Sequence, residues 1–139
     1  MKKKCIGSLI ALFILLAGLT GCEDDPFDNH EYDEATYALC QNTWEDTYVT
    51  NDGRDCVQQL TFYANGAGTD YRNYYSPYGQ WLGDEQIPFY WDWDNRYFDS
   101  LFIDYPNGDR SYLDYIRITP RTLQCELDGY PVTFRAVFP

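Results

Sequence analysis

Lysine occurs only at Lys2, Lys3 and Lys4, and there is a single histidine, His30. Removing those three lysines from the ten basic residues leaves seven arginines against 22 acidic residues from position 22 onward, a balance of −15. Such a chain is repelled by nucleic acid and by anionic membrane surfaces, so nucleic acid is excluded as a partner. Ser76, Ser100 and Ser111 have no histidine to activate them within a folded domain, because His30 sits in an acidic stretch ahead of it. No Cys-x-x-Cys spacing is present, which removes the usual basis for zinc or dithiol chemistry. Gly66-Ala67-Gly68 lies at a hairpin and does not open a helix, so it is no phosphate loop. No metal site, cofactor or catalytic residue is expected, and the chain does not read as an enzyme.

Aromatic side chains are plentiful: 14 Tyr, 8 Phe and 4 Trp make up 19% of the chain. Disordered acidic chains lack this apolar surface, so the aromatics point to a packed domain, and to a β-rich one. A short helical turn is allowed over Glu34–Thr43, with Asp33 as its N-cap. From Trp44 the pattern predicts eight strands, at Trp44–Thr50, Val57–Tyr63, Ala67–Arg72, Gln86–Trp93, Tyr97–Asp104, Arg110–Ile118, Thr122–Leu127 and Val132–Phe138. Asn51-Asp52-Gly53, Asn65-Gly66, Asp94-Asn95, Pro106-Asn107-Gly108 and Asp128-Gly129 supply turn chemistry between them. Connections this short make successive strands antiparallel neighbours, and eight such strands bury their edges only by closing. The expected fold is all-β: a small up-and-down eight-stranded antiparallel barrel. Alternation places Phe89, Trp91, Trp93, Leu101, Ile103, Ile116, Ile118, Leu123, Cys125, Leu127, Phe134, Ala136 and Phe138 inside. Rings this large predict an interior filled by side chains, although eight strands also leave room for one small ligand.

Asn73 to Glu85 reads as a loop of unusual length, and loops of that kind are more often functional than accidental. It concentrates Tyr74, Tyr75, Tyr78 and Trp81, with Tyr90 on the outward face of the following strand. Two readings stand: the rings fold over one barrel end as a plug, or they form a recognition surface for a glycan, a peptide or an envelope protein. Arg72 in the same stretch either stacks on a ring or pairs with a carboxylate. Asp92 and Asp94 would lie roughly 6–7 Å apart on one strand face, a spacing seen in glycoside hydrolases, but that face is solvated. Asp104, Asn107 and Asp109 bracket a turn without the oxygen ladder of a calcium loop. Cys40, Cys56 and Cys125 allow at most one disulfide, and Cys40–Cys125 is the expected pair, because a barrel places its last strands beside its first.

The N-terminal segment has its own layout. Lys2–Lys4 precede an apolar run from Ile6 to Leu19, which closes on Leu19-Thr20-Gly21-Cys22. This resembles the lipobox of bacterial lipoproteins, which implies cleavage before Cys22 and lipidation of its sulfur, with attachment to a membrane through that lipid. Glu23-Asp24-Asp25 resembles the surface-export signal of Bacteroidota lipoproteins, which implies the outer membrane, facing the cell exterior. The order Trp44, Leu60-Thr61-Phe62, Asn65-Gly66-Ala67-Gly68, Phe89-Tyr90-Trp91, Leu101-x-Ile103, Tyr115-Ile116-Arg117-Ile118, Leu123 to Leu127 and Thr133-Phe134-Arg135 is similar to the lipocalin-like domains of such lipoproteins. The Gly-x-Trp opening of true lipocalins is absent, since Asn42-Thr43 precede Trp44. The expected organisation is a signal peptide at 1–21, the lipidated cysteine and a disordered acidic tether at 22–33, and the barrel at 34–139. The expected function is that of a non-enzymatic envelope lipoprotein acting as a binding or accessory module. The alternatives are a carrier of a small hydrophobic ligand inside the barrel and, last, a glycan-active enzyme with an acidic site.

Overall fold

The computed structural model describes residues 34–137. Cys22, the acidic tether and Phe138 lie outside the described residues. Residues 34–40 form the helix α1, which turns its Thr36 and Leu39 inward and ends as the Gln41 N–H donates to the Tyr37 carbonyl at 3.0 Å. It is shorter than expected because β1 already begins at Thr43. Eight strands follow: β1 (Thr43–Val49), β2 (Asp55–Phe62), β3 (Ala67–Tyr75), β4 (Trp81–Trp93), β5 (Leu101–Asp104), β6 (Arg110–Ile118), β7 (Thr122–Leu127) and β8 (Tyr130–Val137). Each pairs antiparallel with the next, and β1 pairs with β8, so the sheet closes into an up-and-down barrel.

One turn recurs four times. At Thr50–Gly53, Tyr63–Gly66, Ser76–Gly79 and Tyr105–Gly108 the glycine N–H donates to the carbonyl three residues earlier, at 2.9–3.0 Å. The first residue then donates to the carbonyl just past the glycine. This is the three-residue hairpin loop that ends in a left-handed residue, and Gly79 adopts it with φ of 86°. Its presence at Ser76-Pro77-Tyr78-Gly79 corrects the expected long loop. β3 continues to Tyr75 and β4 starts at Trp81, so most of Asn73–Glu85 is ladder, with a bulge beside Tyr74.

The turns at 50–54, 76–80, 105–109 and 128–129 gather at one end. Those at 63–67, 94–100 and 119–121 lie at the other, together with α1. Trp44 and Trp93 tie α1 down: their indole N–H groups donate to the Leu39 carbonyl at 2.8 Å and to the Thr36 hydroxyl at 3.1 Å. Trp91 donates to the Tyr63 carbonyl at 2.9 Å, so no buried indole N–H is left unmade. Phe62, Phe89, Trp91, Trp93 and Phe98 meet edge-on in a chain with ring centroids 5.4–5.7 Å apart.

The filled interior expected from the sequence is therefore found in one half only. The large rings sit on strand positions near α1, and the positions nearer the other end carry polar side chains around a void. The wall also loosens in that direction. β1 meets β8 only over Thr43–Glu45, and β4 meets β5 only over Tyr90–Trp93, leaving Trp81–Phe89 paired with β3 alone. The barrel is laddered all round at its capped end and split toward its mouth.

Candidate functional site: a polar cavity at the barrel mouth

Inward positions of β1 to β4 stack in cross-strand rows. Trp44, Leu60, Asp70 and Ile87 form one row, and Asp46, Gln58, Arg72 and Glu85 form the next row toward the mouth. Tyr48, Cys56 and Tyr74 form the row after that. Above the aromatic core these rows bound a cavity of about 720 Å³, closed on the far side by Ile103, Tyr105, Ser111, Leu127 and Val132. It reaches the mouth, where Pro106, Asn107 and Asp109 of the β5–β6 turn line it. Its size suits a small ligand, since pockets for such molecules run about 300–1,000 Å³.

Asp70 lies beneath the lining residues Gln58, Arg72 and Tyr105 and is 0% exposed. Its carboxylate accepts from Gln58 Nε2 at 3.0 and 3.1 Å, from Arg72 Nε at 3.1 Å and Nη2 at 2.8 Å, and from the Tyr105 hydroxyl at 2.9 Å. The Arg72 fork is thus spent on Asp70. That settles the two sequence readings of Arg72 in favour of the carboxylate. Hydrogen bonding to Asp70 raises the Arg72 pKa further, so its charge is permanent. Burial raises the Tyr48 and Tyr105 pKa values well above the usual phenol range, so both hydroxyls remain protonated donors. Burial also lifts the Asp46 carboxyl above its ordinary value.

The five aromatics singled out in the sequence do not form one cluster. Tyr74 stands opposite Cys56 on the inward parity of β3, outside the cavity lining, with the Arg54 guanidinium 4.2 Å from its ring centroid. Tyr75 pairs with Trp81 across the hairpin, and the Trp81 indole donates to Asn73 Oδ1 at 3.0 Å. Trp81 is 57% exposed and Tyr78, at the turn, 97%. Trp81 and Tyr78 therefore stand clear of the barrel end, whereas Tyr74 and Tyr75 are half-buried. Tyr90 is also exposed but pairs with Ala67 and Asp104 near the capped end, roughly 30 Å of strand from Trp81.

Other expected features resolve into local structure. Cys40, Cys56 and Cys125 are all free thiols, so the Cys40–Cys125 bridge is not formed. The strand beside β1 is β8, whereas Cys125 sits one strand further on, opposite Val132. Burial pushes the Cys40 thiol up to about 11 and the Cys125 thiol up to about 12. Asp92 accepts from the Trp93 N–H at 2.8 Å, Asp104 pairs with Arg110 at 2.7 Å, and Asn107 donates to Asp109 at 3.0 Å within its turn. Among the described residues, no group of three or more His, Cys, Asp or Glu is placed to hold a metal ion.

The sequence reading missed Asp46, Gln58, Asp70, Glu85 and Tyr105 as a site. The signal was parity: Asp46 and Tyr48 alternate in step with Trp44, and Gln58 with Leu60 and Phe62. Polar side chains on the inward parity of a barrel strand mark a wet interior. No protein-family model, no curated protein sequence and no solved structure matches the chain.

Proposed function

We propose that this protein is a non-enzymatic binding protein of the cell envelope, anchored by lipid on Cys22, that carries a small amphipathic ligand in the mouth of its barrel. The observation that supports carriage best is the cavity of about 720 Å³, whose lining alternates apolar groups such as Ile87, Ile103 and Val132 with the hydroxyls of Tyr48, Tyr105 and Ser111. Gln58, Arg72 and Tyr105 of the lining are already held by Asp70 and need no rearrangement before a ligand enters, which favours binding. The anchor rests on Leu19-Thr20-Gly21-Cys22. The test for carriage is fluorescence titration with the neutral probe N-butyl dansylamide. Saturable binding that is lost in the cavity-filling variant Val132→Trp supports the reading, and binding unchanged in that variant overturns it. For the anchor, mass spectrometry of the processed N-terminus should find diacylglycerol on Cys22, and an unmodified Cys22 or a start elsewhere refutes it.

A second reading has its own observation. Trp81 and Tyr78 present an exposed aromatic patch beside the half-buried Tyr75, with the Trp81 ring held by Asn73. This patch suits docking of a glycan, a peptide or another envelope protein. Changing all three to Ala should abolish partner capture while shifting the melting temperature little, and retained capture would rule the patch out.

A further inference from the structure

We infer that the cavity selects a small amphipathic amine, its ammonium held by Asp46 and the Gln58 carbonyl, and that it rejects carboxylates of the same size. This rests on the carrier reading above and adds the chemical class of the ligand. The argument starts from the charges that face the void. Asp46, Glu85 and Asp109 carry negative charge there, and Arg72 is the only cation among the lining residues. An anionic ligand would need Arg72, and Arg72 is not available. Its Nε and Nη2 are both engaged by Asp70, which has no exposure to water. Freeing that fork would strand a buried carboxylate, at a cost a small anion cannot recover.

The acceptors are in the opposite condition. Asp46 and Glu85 stand in the same row as Arg72 yet form no ion pair among the described residues. Gln58 lies beside Asp46 in that row and is 7% exposed. Its Nε2 donates to both oxygens of Asp70, which fixes the amide orientation. Its Oε1 accepts no hydrogen bond among the described residues, although the side chain lines the cavity. A nearly buried acceptor with nothing to accept from, adjacent to an unpaired carboxylate, is completed by a ligand that brings N–H donors and positive charge. Glu85 adds a second carboxylate on the other side of Arg72. The apolar part of the ligand would lie along Leu60, Ile103, Leu127 and Val132, which bound the same void. The acidic surroundings reinforce the choice, because a cavity lined by one sign of charge focuses its field on the opposite sign.

The test uses the full chain and three dansyl amides that share the fluorophore and differ in the end of a short alkyl chain. Dansylcadaverine ends in an ammonium, N-butyl dansylamide in a methyl group and dansyl-aminovalerate in a carboxylate. Dansylcadaverine should bind at least about tenfold more tightly than the neutral probe, the worth of one charge-assisted hydrogen bond, and the carboxylate more weakly than either. Asp46→Asn combined with Glu85→Gln should erase the preference for the ammonium and leave the neutral probe unaffected, with a melting temperature no lower than the parent's as the check on folding. Equal binding of the ammonium and the carboxylate overturns the amine assignment and leaves the carrier reading standing, as does tighter binding of the carboxylate. A preference for the ammonium that survives the double change overturns the assignment to these residues. Failure of all three probes to bind overturns the carrier reading and, with it, this inference.

Discussion

Asp70→Asn is the most revealing single change in this molecule. The substitution keeps shape and volume but removes the charge that five hydrogen-bond contacts converge on. The new amide brings two N–H donors into a site where Gln58, Arg72 and Tyr105 already donate, so at least one donor must turn away. Arg72 then keeps its charge without its partner, in a side chain that is only 27% exposed. Removing one member of a buried ion pair costs about 3–5 kcal/mol, and the partial exposure of Arg72 places the expectation at the lower end. For a domain of this size, about 3 kcal/mol corresponds to a fall in melting temperature on the order of 12–24 °C. Urea unfolding followed by the fluorescence of the buried tryptophans gives the free energy directly, with the slope as a check on two-state behaviour. Adding Arg72→Met to Asp70→Asn should recover much of the loss, because the stranded charge goes with it. A loss under about 1 kcal/mol for the single change, or no recovery in the double, would show that Asp70 is not what anchors Arg72. The single variant should also accept the dansyl carboxylate, since its arginine fork is released.

Other outcomes follow from the same geometry. A Cβ on Gly68 would sit 2.1 Å from Phe89 Cε1 and 2.7 Å from the Thr61 carbonyl oxygen, so the ring and the strand must both yield. Gly68→Ala should therefore cost about 1–3 kcal/mol in chemical denaturation, and a neutral result would refute the close approach. Trp93→Ala removes a core ring and the bond to Thr36, and should cost about 3–5 kcal/mol, with loss of α1 protection in hydrogen exchange. Burial raises the folded-state pKa of Asp46, so its contribution to stability is present in acid and lost as pH rises through the raised value. Asp46→Asn should therefore melt higher than the parent at pH 7 and equal to it below about pH 4, and the reverse order would contradict the burial argument. Cys40 and Cys125 should resist a thiol reagent such as dithionitrobenzoate at pH 8 until the protein is unfolded, because so little thiolate is present at those raised values. Rapid native labelling of either would refute this.

The sequence alone determined the barrel. Period-two alternation from Trp44 to Ala136 and short turn-rich connections leave eight antiparallel strands little choice but to close, and five of the eight expected strands lie within about two residues of those observed. The exceptions have a local cause. At Ser76-Pro77-Tyr78-Gly79 the tyrosines made a turn look like a loop, although it shares its form with Tyr105-Pro106-Asn107-Gly108. The other exception is β5, which begins at Leu101 and not at Tyr97, because the chain is still turning through 94–100, where Phe98 takes a positive φ. Tertiary structure decided everything that depends on height within the barrel. Parity says that Trp93 and Arg72 both point inward, but only the register says that one packs on α1 and the other faces a void near the mouth. Register decided as well that Arg72 meets Asp70 on its own strand and leaves Glu85 across from it unpaired. It also put β8, and not Cys125 of β7, beside β1. These outcomes rest on which residues of distant strands stand opposite one another, and that is set only when the sheet closes on itself.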